Sequence, residues 1–92
     1  MYETLLNMSL KLQMQNIGAE VSRMIRFMPT KPERAFCRGQ EAIKMLNILA
    51  NAPNAGHRKN EWKQMAEEIE NYLKGGDIDP EMMLSRYEIF ND

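Results

Sequence analysis

Apolar residues return every three or four positions along nearly the whole chain, and the alternation of a β-strand is nowhere sustained. That period places side chains on one face of a helix. In the first segment, about Tyr2 to Phe27, the stripe is Leu6, Leu10, Ile17, Val21, Met24 and Met28, widened by Leu5, Leu12, Met14 and Ile25. Gly18, at its middle, predicts a close helix–helix contact, because Gly otherwise costs a helix about 1 kcal/mol relative to Ala. Pro29 ends the segment. Thr30-Lys31-Pro32-Glu33 then has the spacing of a capping box with Pro in the first turn, which starts a second helix running to about Asn51. Its expected buried line is Phe36, Gly39, Ile43, Leu46 and Ala50.

Pro53-Asn54-Ala55-Gly56 reads as a turn. After it, Trp62, Met65, Ile69, Tyr72 and Leu73 step along a third helix that Gly75-Gly76 stops. Asp79-Pro80-Glu81 caps a short last helix with Met83, Leu84, Tyr87 and Phe90 on its apolar side. The expected fold is all-α: an up-and-down bundle of three long helices plus a short C-terminal helix, one domain over residues 1–92.

Ninety-two residues support one modest core, and domains of this size often complete their burial with a partner. Nine Met residues fit that need, since Met both fills core gaps and serves adaptable surfaces. Met8, Leu12, Met14, Met82 and Met83 are either core or a partner groove, and a homo-oligomer is expected.

The net charge of −1 conceals a segregation. Residues 1–59 hold nine basic side chains against four acidic ones, whereas residues 60–92 hold three against nine. Arg23, Arg26, Lys31, Arg34 and Arg38 straddle the first turn, so an antiparallel hairpin gathers them at one corner, beside the amide-rich start of the second helix. Such a corner suits phosphate or a carboxylate-rich partner. The alternative is a solvated face neutralised by Glu67, Glu68 and Glu70 of the third helix.

Few other residues suggest chemistry. The single Cys excludes an internal disulfide and a multi-cysteine metal site, and Cys37 is expected to be a half-buried small residue. His57 falls in a loop. Asp77, Asp79 and Glu81 alternate like a calcium loop, but Pro80 and the missing distal Glu break the pattern. Trp62 between Lys59 and Lys63 could stack a base, although a buried Trp fits its helical spacing better. With no nucleotide loop, nucleophile elbow or paired carboxylates, neither an enzyme nor a cofactor is expected. The start of the chain lacks a secretory pattern, and Met45-Leu46-Asn47-Ile48-Leu49-Ala50 is too short to cross a bilayer, so a cytoplasmic location is expected.

Phe27-Met28-Pro29, Glu33-Arg34, Gly39, Ile43, the Leu-bearing helix after them and the Asn54-Ala55 turn together resemble one family over roughly residues 25–75. It comprises the four-helix accessory variability proteins of diversity-generating retroelements and the proteins encoded in ribosomal RNA intervening sequences. The resemblance implies ring-shaped homopentamers that bind a reverse transcriptase and nucleic acid, with Arg23, Arg26, Arg34 and Arg38 as contacts. Family members are strongly basic, whereas this chain closes on an acidic segment. The residues themselves predict a non-enzymatic interaction module for a protein or nucleoprotein partner. A nucleic-acid-binding accessory protein and a phage-type inhibitor acting through an acidic third helix are the alternatives.

Overall fold

A computed structural model describes residues 2–91, with side chains described from Thr4 to Phe90; Met1 and Asp92 lie outside. Its helices are α1 (Tyr2–Asn7), α2 (Leu10–Phe27), α3 (Pro32–Asn51), α4 (Lys59–Leu73) and α5 (Pro80–Glu88). Single 3₁₀ turns at Gly56–Arg58 and Ile89–Asn91 precede α4 and follow α5. The long axis is 37 Å, little more than the length of about 30 Å that α3 alone requires, so the long helices lie side by side. α3 packs against both α2 and α4, while α5 closes the far side by resting on α2 and touching α4 more lightly. This is the expected all-α up-and-down bundle, with one added break.

The break falls at Ser9. Its extended backbone ends the first helical phase, and its hydroxyl accepts from the Leu12 amide at 3.3 Å to start the second. The phase reset puts Leu5 rather than Leu6 in the core: Leu5 is 4% exposed and Leu6 40%. Gln13 Nε2 donates to the Leu5 carbonyl at 3.0 Å and so ties α1 back to α2.

The buried line of α3 is Ala35, Gly39, Ala42, Leu46, Leu49 and Ala50: Gly39, Leu46 and Ala50 are as expected, while Ala35 and Ala42 stand where Phe36 and Ile43 were expected. Phe36 is 53% exposed. The reason is lateral room: α3 is flanked on two sides, and a Cβ on Gly39 would come within 2.7 Å of both Leu73 Cδ1 and Met24 Sδ. Small residues fit that seam, and Phe does not. The capping box is also absent. Lys31, not Thr30, is the N-cap of α3 and makes no side-chain capping bond, while the Lys31 amide donates to the Phe27 carbonyl at 2.6 Å.

Met14 and Met83 are fully buried and so belong to the core, Met8 is half-buried, and Leu12 and Met82 are exposed. Trp62, Met65 and Ile69 form the buried face of α4, and Gly75 supplies a left-handed stop at φ 83°. Asp79 caps α5 as expected, accepting from the Glu81 amide at 3.0 Å.

Tyr87 anchors α5 against Gly18 on α2, where a Cβ would meet Tyr87 Cβ at 3.1 Å. Its phenol is buried and its oxygen finds no hydrogen-bond partner among the described residues. Burial pushes the phenol's pKa well above its ordinary value; the Glu68 carboxylate adds to the rise and Arg86 opposes it. The folded state therefore keeps this proton after the unfolded chain has lost it. Stability from Tyr87 is complete below about pH 10 and falls as pH rises beyond it. A Tyr87→Phe chain should unfold in urea at pH 7 with unchanged stability or about 1 kcal/mol more, since the orphaned hydroxyl is gone. It should also lose less stability than the parent on moving to about pH 11. A clear loss at pH 7 would mean that the phenol has a partner.

Candidate interaction surfaces

The end of α2 and the start of α3 form the predicted corner, and it is only partly the predicted one. Arg23, Arg34 and Arg38 line a shallow groove of about 510 Å³ together with Phe27, Glu33 and Cys37. Arg26 and Lys31 stand exposed outside this lining and form no ion pair among the described residues. The centre of the cluster is Glu20, a residue that charge counting alone did not single out. It is 9% exposed and accepts from Arg23 Nη1 at 2.6 Å and from Arg38 Nη1 at 2.9 Å. A carboxylate this deep is retained because both its oxygens have cationic donors. It pins the α2–α3 hairpin and holds two guanidinium groups at the groove wall.

Arg34 lies over the Phe27 ring, 5.9 Å from its centroid, and forms no ion pair among the described residues. Cys37 is exposed rather than half-buried, and the exposed Phe36 follows Arg34 by two positions. The corner thus combines arginines with the half-buried Phe27 ring and exposed sulfur surface.

The acids of the third long helix do not neutralise that corner. Glu68 is engaged by Arg86, with Nε to Oε1 at 2.8 Å and Nη2 to Oε2 at 3.0 Å. This fork keeps Arg86 firmly protonated. Glu70 pairs loosely with Lys74 at 3.7 Å, and Glu67 is exposed without an ion pair among the described residues. The cation for the acidic part therefore comes from α5, eighteen positions away, where spacing within one helix gives no signal.

Trp62 is 4% exposed, so its ring is closed to base stacking. Arg58 covers this end of the core, 5.9 Å from the Trp62 centroid and 5.5 Å from that of Phe90, with Glu61 at 3.3 Å. His57 is exposed in the 3₁₀ turn. Asp77 and Asp79 are not part of a metal cluster: among the described residues no group of three or more His, Cys, Asp and Glu side chains is arranged to hold an ion. Among the described residues, no helix is long and apolar enough to cross a membrane.

Fold and surfaces together define a small helical bundle whose polar surface divides into a basic corner and an acidic edge. No protein-family model, curated protein or solved structure matches the chain.

Proposed function

We propose that the protein is a non-enzymatic interaction module whose α2–α3 corner docks an acidic segment of a partner protein. The observation that carries this reading is the groove that Arg23, Arg34 and Arg38 line together with Phe27 and the exposed Cys37, with Arg34 over the Phe27 ring. Arg forks select carboxylates by geometry, and apolar surface supplies the burial that charge alone does not. A phosphate backbone is the weaker fit, because Glu33 lines the same groove and Glu20 already engages two of its arginines.

Fluorescence anisotropy with an acidic amphipathic peptide of Glu and Leu, beside a single-stranded oligonucleotide, tests it. The peptide should bind, and the Arg34→Glu, Arg38→Glu chain should bind it at least about tenfold more weakly while keeping its helical circular dichroism. An Arg26→Glu, Arg34→Glu chain leaves the Glu20 clamp intact and should show the same direction. If both variants bound the peptide as the parent does, the reading would be wrong. Oligonucleotide binding with a steep salt dependence would replace it with the nucleic-acid-accessory reading. Light scattering on the same samples reports whether copies of the chain associate.

A further inference from the structure

The α4–α5 edge is the least closed side of the bundle, and it holds a groove of about 260 Å³ lined by Glu61, Gln64, Met65, Glu68, Arg86 and Ile89. We propose that this groove is a second docking surface, of opposite sign to the basic corner, which receives a basic amphipathic helix from another protein.

Its apolar component is unusual for surface that stays in water. Ile89 is 68% exposed and Met82 61%, more than any other large apolar side chain among the described residues. They stand seven positions apart, two turns along the same side of α5 and its 3₁₀ extension, with Arg86 between them. The Glu68 fork fixes Arg86 in place, so its aliphatic stem can form floor between the two side chains. Apolar positions one and two turns apart along a trough match the way an amphipathic helix presents its anchors.

The sign of the partner follows from the local charge. Residues 60–92 carry nine acidic and three basic side chains, and Arg86 is already committed to Glu68. Glu61 and Gln64 line the wall; Glu61 meets Arg58 at 3.3 Å in a pair exposed enough to exchange for an incoming cation, and Glu67 follows on the outer side of α4, exposed and without an ion pair among the described residues. An incoming helix with Lys or Arg flanking an apolar stripe would meet carboxylates on the α4 side and Met82 and Ile89 on the α5 side.

The probe is a fluorescent amphipathic peptide of Leu and Lys, about 18 residues or five helical turns long, followed by anisotropy at low and moderate salt. The parent should bind it. Met82→Ser, Ile89→Ser and Glu61→Lys, Glu67→Lys double variants should each bind at least about tenfold more weakly. All four positions are exposed or half-exposed, so the fold should survive, which circular dichroism checks. The Arg34→Glu, Arg38→Glu chain should bind this peptide like the parent, which separates failure here from failure of the basic corner. Amide resonances of residues 61–68 and 82–89 should move on titration. Equal binding by the parent and both groove variants, or shifts confined to other residues, would overturn the proposal. So would movement of the same resonances with protein concentration alone, since the occupant would then be a second copy of the chain.

Discussion

A Gly18→Leu substitution should cost the fold about 3 kcal/mol, because the side chain would have to enter the place where α5 meets α2. The neighbour there is Tyr87 Cβ, 3.1 Å from where the first new carbon would stand. A Cβ is fixed to its backbone and cannot swing aside as a side-chain end does, so the whole of α5 must move. Gly18→Ala is the informative companion. Its gain in helix propensity, about 1 kcal/mol, opposes a contact that needs a few tenths of an ångström of adjustment, and the net change should be small. Urea unfolding of the two variants decides the matter: if Leu cost less than about 0.5 kcal/mol, the close approach of α2 and α5 would be refuted. Gly39 gives a softer version of the same constraint, since its contacts are the movable ends of Leu73 and Met24.

Replacing Glu20 with Leu should act on stability and on binding in opposite directions. The variant loses two charge-assisted hydrogen bonds and leaves Arg23 and Arg38 facing each other across the hairpin. Their side chains are 49% and 40% exposed, so both can turn toward water, and the expected loss is about 2 kcal/mol rather than the larger cost of stranding a fully buried charge. The released arginines should then bind the acidic peptide several-fold more tightly. Glu20→Gln keeps the shape and one acceptor, so its two effects should have the same signs and smaller size. A chain destabilised by Leu at this position but unchanged in peptide affinity would show that the clamp and the groove are independent.

How far the fold was legible depended on how local its causes are. The four long or capped helices follow from period, Pro and Gly, all of which act over a few residues; Gly75 and Asp79 do what their chemistry predicts. Gly18 and Trp62 were legible for the same reason, as a small residue or an aromatic one on a regular apolar face. Phe36 was misplaced because hydrophobicity was weighed without width: the seam of Ala35, Gly39 and Ala42 was present in the sequence, at spacings of four and three, and names the buried side of α3. Thr30 was misjudged because the turn was closed instead by backbone donors to the Phe27 carbonyl. At the basic corner, the arginines were visible as a cluster while Glu20 was one acid among four in its half of the chain. Its i,i+3 neighbour Arg23 is local to α2, but only the packing of α2 on α3 adds Arg38, and only the return of α5 brings Arg86 to Glu68.

The break at Ser9 separates two events that a continuous helix would merge. α1 has six residues, against the three turns or more that a helix needs to persist by itself; it rests on α3, and it buries Leu5. Beneath it, Leu6, Leu10, Leu49, Ala52 and Trp62 border a small cavity beside Arg58. Trp62 fluorescence in urea should therefore change before the circular dichroism of α2 to α5 does; coincident transitions would show that α1 unfolds with the rest.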